Sequence, residues 1–345
     1  MKKFLHDKTL DELKQIVAEY KQPSFRAKQL QEALLLGKAG HEITNLPKTL
    51  LSELESAYEL EPVKIVKVQK SSDGTIKFGL SLFDGGIIEM VLMTYEYGNT
   101  LCISTQVGCR MGCAFCASGM FGLVRNLEAS EMIGEVITAN KYLEGNLKER
   151  KITNIVLMGC GEPLDNYDNV AKFIDVISGD FGISERNISL STCGLVDKIY
   201  KLADDGYKVN LTISLHAPDD ETRKKLMKIA NRYTIDEILK ACDYYFASNK
   251  RRVYFEYTLC KGINDSLLQA KQLSHLLKGR VCHVNVINLN SVATKELIPC
   301  DKKHAYAFVG ALNENKISAT LRRTLGQDID GACGQLRQGI MENKK

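Results

Sequence analysis

From about residue 100 onward the chain repeats one unit: a short strand-like apolar run, a loop, then a stretch with helical periodicity. The strand-like runs are LCIST, NIVLM, ISLST, VNLTISL, VYFEYTL, HVNVIN and SATLRR. Helix-like stretches such as ASEMIGEVITANKYL and TIDEILKACDYYF lie between them, the latter opened by a capping box of Thr234 and Glu237. Strands alternating with helical crossovers pair in parallel. The fold class is therefore α/β, built as a full or partial barrel or as an open sheet. In each of these, chemistry belongs to the loops that follow the carboxyl ends of the strands. A motif directly after a strand is the first candidate for function.

The earlier part of the chain has a different character. Residues 1–60 read as helical: Thr9 with Glu12 makes a capping box, and Leu10, Leu13, Ile16, Val17 and Tyr20 form one apolar face behind it. FRAKQLQEALL and LPKTLLSELES read as two further helices, the second with Pro47 in its first turn. Over residues 61–98 the runs VKIVKVQ, TIKFGLSLF and IIEMVLM are strand-like, separated by turn signals at Asp73-Gly74 and Asp84-Gly85-Gly86. The expected organisation is a helical accessory domain over 1–60, a strand extension over 61–98, the core over 99–328 and a C-terminal segment over 329–345. A length of 345 residues suits one large domain with a small accessory one.

With 44% hydrophobic and 26% charged residues, and no run of eighteen apolar ones, the chain reads as globular, with no membrane span. MKKFLHDKTLDEL starts basic but turns acidic before a signal core could form, so a cytoplasmic location is expected. In a reducing compartment, 11 cysteines scattered through a long chain point to metal binding or chemistry rather than to a disulfide scaffold. A formal charge of +4 permits nucleic acid without arguing for it.

Four of the cysteines fall in CISTQVGCRMGCAFC, directly after the first core strand. Cys109, Cys113 and Cys116 are spaced C-x-x-x-C-x-x-C, and Cys102 precedes them by seven residues. Structural zinc closes with four ligands in paired knuckles, and no second pair follows. An ordinary iron–sulfur carrier supplies four cysteines to one cluster. Three thiolates leave one iron of a 4Fe–4S cube without a protein ligand. The spacing favours that reading, with structural zinc or core cysteines as its alternatives. Cys102, and Cys333 in DIDGACGQLR, read singly as small core residues, although Cys333 between Ala and Gly is less natural for packing.

The cysteine motif, with Ala114 and Phe115 between its last two members, resembles that of the radical S-adenosylmethionine (SAM) superfamily. Members chelate SAM on the open iron and cleave it with one electron to a 5′-deoxyadenosyl radical. Met158-Gly159-Cys160-Gly161-Glu162-Pro163, after the second core strand, is similar to the superfamily's GGEP-like segment that holds SAM's amino group. More narrowly, PSFRAKQL, CISTQVGCRMGCAFCASG, GLVRNL, GEPLDNYDNV, SLSTCG, TISLHAPDDETR, GIND and RRTLGQDIDGACGQLR resemble the RlmN family of dual-specificity RNA methyltransferases. These motifs span nearly the whole chain. The resemblance implies a partial (β/α)6 TIM-like radical SAM barrel with a 4Fe–4S cluster on Cys109, Cys113 and Cys116.

It further implies methylation of carbon 2 of adenine in the peptidyl-transferase region of 23S rRNA, and of the adenine 3′ of the anticodon in tRNA. Cys333 would take a methyl group from one SAM, and a second SAM would yield the radical that activates it. Cys102 would then resolve the protein–RNA adduct by forming a disulfide with Cys333. Glu89, thirteen residues before Cys102, matches the proton acceptor for carbon 2. Its apolar neighbours Ile87, Ile88, Met90 and Val91 would desolvate it and shift its pKa, unless it lies on an edge strand facing water. Gly161, Glu162, Ser191, Ser214, Leu215, His216 and Asn290 match SAM-contacting positions; His216 taken alone could be a core histidine. An electron donor such as flavodoxin or ferredoxin, a thiol reductant for the disulfide and a monomeric state are implied as well. Two departures from the family pattern are Cys160 in place of a methionine and the missing Pro beside Asn290.

Basic residues cluster at Arg223-Lys224-Lys225 with Lys228, at Lys250-Arg251-Arg252 and at Arg322-Arg323, with Lys14, Lys21, Arg26 and Lys28 in the helical segment. Given the family match, these are candidates for RNA contact, and the target adenine must be flipped from its stack to be reached. The alternative within the fold is the antibiotic-resistance relative that methylates carbon 8. Gln106-Val107-Gly108 and Arg323-Thr324-Leu325-Gly326 depart from its pattern. The alternative outside enzymes is an iron–sulfur RNA-binding protein, which would need neither Cys102 nor Cys333.

Overall fold

The chain is described as a computed structural model covering residues 3–326, apart from 121, 147 and 290–296, together with 328, 329 and 336. Asn290 and Cys333 lie outside the described residues. Residues 3–60 form a helical unit in which β1 (Lys3–Phe4) and β2 (Tyr58–Glu59) pair in parallel and tie its two ends together. Helix α1 (Leu10–Glu19) starts at its capping box: Thr9 Oγ1 accepts from Glu12 N–H while Glu12 accepts from Thr9 N–H. Helix α2 is Phe25–Leu35 and α3 is Lys48–Ala57. Pro47 stands just ahead of α3 as its N-cap rather than inside its first turn. Leu5, Leu13, Leu30, Leu34, Leu50 and Leu54 meet in a cluster separate from the main core. Each buried leucine contributes roughly 1.5–3 kcal/mol, so the unit has apolar cohesion of its own.

Strands β3 (Val63–Lys70), β4 (Ile76–Leu82) and β5 (Ile87–Tyr95) run antiparallel, joined by turns where Gly74 and Gly85 take φ of 87° and 81°. They are not a separate layer. β5 pairs antiparallel with β6 (Gly98–Cys102), and β6 begins a run of parallel strands. The run continues through β9 (Ile152–Leu157), β10 (Ile188–Thr192), β11 (Asn210–Ser214), β12 (Val253–Leu259), β13 (Cys282–Asn288) and β14 (Ala319–Leu321). All seven strand-like runs of the core thus lie in one ten-stranded sheet, a partial barrel with β3 and β14 at its edges. Between β6 and β9 a small antiparallel ribbon forms from β7 (Gln106–Gly108) and β8 (Leu123–Asn126).

The crossovers carry α4 (Ala129–Tyr142), α5 (Tyr167–Gly179), α6 (Val196–Asp204), α7 (Asp220–Leu226), α8 (Ile235–Asn249), α9 (Leu267–Leu277) and α10 (Lys302–Glu314). α8 begins at the expected capping box of Thr234 and Glu237. The helical unit is fastened to these helices by polar contacts. Asp7 pairs with Lys172 of α5 at 2.7 Å and donates its backbone N–H to Ser130 Oγ of α4 at 3.0 Å. Among the described residues no helix is long and apolar enough to cross a membrane.

Candidate active site

The carboxyl ends of the parallel strands surround a cavity of about 290 Å³. Cys102, Cys116, Phe115, Met158, Ser214 and His216 line it, with Val91 and Met93 of β5 along one side and Arg322–Leu325 at its margin. A parallel sheet whose crossovers all return on its outer side leaves these strand ends as the place where loops converge.

The cysteine loop is held from three sides. Gly108 takes φ of 84°, and a Cβ there would collide with the Gly122 carbonyl, so only glycine lets the ribbon close behind Cys109. Cys109 N–H donates to that same carbonyl at 3.0 Å. Ala114 N–H donates to the Leu226 carbonyl of α7 at 2.9 Å, and Cys116 N–H to the Cys113 carbonyl at 3.2 Å. Cys116 faces the cavity, while Cys109 is buried behind it. Burial pushes the Cys109 thiol up to about 12, with the neighbouring Cys116 adding to the effect, and raises Cys113 as well. Thiols held protonated by burial ionise when a cation replaces the proton, as iron does.

Among the described residues, no three His, Cys, Asp or Glu side chains are gathered closely enough to hold a single metal ion. What the cysteine loop does present suits a larger, negatively charged group. Arg223 of α7 is fully buried and interacts electrostatically with Cys113, and its Nη1 has no hydrogen-bond partner among the described residues. A buried cation with a spare donor near the Cys113 thiol fits a thiolate-ligated cluster.

The GCGEP segment packs directly on the strand before the cysteine loop. Gly161 takes φ of 115°, and a Cβ there would stand 2.7 Å from Gln106 Cβ and Thr105 Oγ1. The Cys160 carbonyl accepts from the N–H groups of Thr105 and Gln106 at 2.8 and 3.1 Å. The replacement of methionine by cysteine at 160 is accommodated in a fully buried site. Glu162 is buried, and its carboxylate accepts from Leu164 N–H at 3.1 Å and Cys193 N–H at 2.7 Å. Its side chain thus joins the ends of β9 and β10 and shapes the segment's backbone. Burial raises its pKa while those N–H donors oppose the rise.

His216 follows β11 in the left-handed region, φ 57°, with both its own N–H and that of Leu215 donated to the Glu256 carbonyl. Thr258 N–H donates to His216 Nδ1 at 2.9 Å, and burial lowers the imidazole pKa to about 3. The ring is therefore neutral with its proton on Nε2, a fixed donor at the cavity wall, steadied by an edge contact with Phe115 at 4.6 Å. Leu215 offers only its backbone, since its side chain is fully buried in the core. Ser191 meets Glu256 Oε2 at 3.4 Å, and Ser214 lines the cavity.

Glu89 is on neither an edge strand nor a water-facing side. It is 4% exposed and pairs with the fully buried Lys77 at 3.1 Å. Strand alternation puts Ile87, Val91 and Met93 on its face of β5, whereas Ile88 and Met90 lie on the other. Cys102 lies at the cavity wall at the end of β6.

Glu256 belongs to the site without any motif to mark it. It is buried on β12, lines the cavity, and joins Ser191 to Arg322, whose Nη1 lies 3.2 Å from its Oε1. An acid inside VYFEYTL, an otherwise strand-like core run, is the one signal of it in the sequence. Two basic groups are placed differently from expectation. Arg223 is buried and unavailable to phosphate, and Lys250–Arg252 precede β12, at the end of the barrel opposite the cavity.

The barrel and its cysteine loop define a radical SAM protein, and comparison with known proteins agrees. A model of the radical SAM superfamily matches residues 103–272. A crystal structure of a radical SAM methyltransferase from Sphaerobacter thermophilus is similar at a TM-score of 0.92 and 40% identity, over 96% of this chain and 98% of that one. A probable dual-specificity RNA methyltransferase RlmN of Clostridium perfringens (strain SM101) is 48% identical over 98% of this chain and 97% of its own length. Another, of Lachnoclostridium phytofermentans, is 47% identical over 97% and 94%. The chain belongs to the RlmN family.

Proposed function

We propose that this chain, a radical SAM RNA methyltransferase, methylates carbon 2 of adenine in 23S rRNA and in tRNA, with Cys333 as methyl carrier. One observation carries the reading: Cys102 and Cys116 line the same cavity, so a second thiol faces the space served by the cluster loop. A binding protein has no use for that arrangement. Cys109, Cys113 and Cys116 would hold a 4Fe–4S cluster, which together with SAM would supply the radical chemistry that an electron-poor aromatic carbon requires.

The remaining roles belong to side chains and backbone. The Cys333 thiolate attacks the methyl carbon of one SAM: the new S–CH3 bond forms as the bond to the sulfonium breaks, and S-adenosylhomocysteine leaves with the electron pair. Gly161, Glu162, Ser191, Ser214, Leu215, His216 and Asn290 hold SAM, Leu215 through its backbone. Glu89 accepts the proton from carbon 2. In the adduct the former S-methyl carbon, now a methylene, joins the Cys333 sulfur to carbon 2. Cys102 attacks that sulfur, the S–S bond forms as the bond from sulfur to the methylene carbon breaks, and that carbon takes the electron pair and a proton. A thiol reductant then reopens the disulfide, and a flavodoxin or ferredoxin supplies electrons to a cytoplasmic, monomeric enzyme.

Nucleosides from RNA treated with reconstituted enzyme and SAM, identified by mass spectrometry, test the reading. 2-Methyladenosine is expected from both RNA classes. If only 8-methyladenosine forms, the carbon-8 relative is the better description.

A further inference from the structure

Arg223 lies in α7, in a run of charged residues, yet no part of it reaches solvent. Its Nε donates to the Leu215 carbonyl at 3.2 Å, and its Nη2 to the carbonyls of Cys193 at 2.6 Å and Ser214 at 3.4 Å. These acceptors come from the ends of β10 and β11, so the guanidinium is clamped under the strand ends that form the cavity floor. Nη1 is buried and finds no hydrogen-bond partner among the described residues. Asp220, an acid near enough to act on Arg223, uses Oδ1 to accept the N–H of Ile235.

Carbonyl dipoles alone do not compensate a guanidinium taken out of water; a buried cation of this kind wants an anion. Besides Asp220, its charge acts on Cys193, on Cys113 and on His216. α7 itself is tied to the cysteine loop one helical turn further on, where Leu226 accepts the N–H of Ala114. A thiolate-ligated cluster carries net negative charge and gains more on reduction, and donors to its sulfurs are among the groups that set its potential.

We propose that Arg223 is a positioning residue for the cluster, its Nη1–H groups donating to sulfur at the Cys113 corner and its charge favouring the reduced state. The inference rests on the reading that Cys109, Cys113 and Cys116 hold the cluster.

The test is an EPR-monitored redox titration of reconstituted full-length wild type, Arg223→Lys and Arg223→Met. The Met variant should titrate at a more negative potential than wild type, because the reduced state loses its counter-charge, with the Lys variant between them. Equal potentials for wild type and an iron-loaded Met variant overturn the proposal. If the Met variant does not fold, pulsed EPR of reduced wild type carrying nitrogen-15 arginine decides. A nitrogen-15 coupling that the Arg223→Lys protein lacks supports the proposal, and its absence from wild type overturns it. A wild-type chain that takes up no iron would overturn the cluster reading, and this assignment with it, before any variant is made.

Discussion

The two side chains that β4 and β5 bury against each other, Lys77 and Glu89, separate a structural from a chemical role. Their ion pair at 3.1 Å is almost wholly out of water. Glu89→Gln leaves an ammonium buried without its carboxylate, a loss of about 3–5 kcal/mol. Denaturant unfolding should show that loss, and methylation should stop. Glu89→Gln combined with Lys77→Met should regain most of the stability and none of the activity. Activity retained by Glu89→Gln would dismiss it as proton acceptor. His216 adds a pH dependence. Its folded pKa of about 3 lies below the ordinary 6.5, so the unfolded chain takes the proton first as pH falls. The stability it contributes is complete above pH 6.5 and is lost progressively towards pH 3. In the iron-free protein, His216→Gln should flatten the fall of Tm across that window; an unchanged slope would contradict the burial argument.

At the scale of elements, the β3–β4 turn clasps the segment that leads to Cys333. Asp73 accepts the N–H of Gly326 at 2.8 Å through one carboxylate oxygen and that of Thr75 at 2.9 Å through the other. Asp328 returns the contact, accepting from Ser71 Oγ and from Ser72 N–H at 2.8 Å. Both hydrogen bonds to Asp328 are made within reach of water, where each contributes little, so releasing the two should shift the docked population about tenfold. Ser71→Ala with Asp328→Ala should slow S-methylation of Cys333 by about that factor, read from peptide mass, while iron uptake stays unchanged. Methylation at the wild-type rate would show that the clasp does not position the segment. The same clasp shows what a sequence leaves hidden. The capping boxes at Thr9 and Thr234, and the seven core strands, are local patterns and legible as such. Pairing of β5 with β6, which joins the antiparallel strands to the barrel, is a hairpin closed by Glu96 and Tyr97, a two-residue turn without the Asn-Gly or Asp-Gly signature that would mark it in the sequence. Arg223 in DDETRKK has the composition of a solvated face, and only the packing of α7 under β10 and β11 makes it a buried cation.

For the whole molecule, the proposed reaction and the cavity's position together set the side from which RNA comes. A base flipped from its stack enters at the carboxyl ends of the strands, where Arg322–Leu325 form the margin. Arg322 is engaged with Glu256, whereas Arg323 beside it is exposed. Arg252 is also exposed, but it precedes β12 and so stands at the far end of the barrel. Sequence spacing treats the two arginines alike; the fold does not. Removing one arginine from a phosphate should reduce the slope of log K against log salt by about 0.7 in a single-stranded region, and by about 0.9 in a duplex. Arg323→Ala should therefore weaken binding of an rRNA fragment at low salt, with its salt dependence shallower by nearly one ion, and raise KM for methylation. Arg252→Ala should leave affinity, salt slope and KM at their wild-type values. Anisotropy titrations of labelled RNA at several salt concentrations measure both variants, and an Arg252→Ala defect as large as that of Arg323→Ala would place the RNA on another face of the barrel.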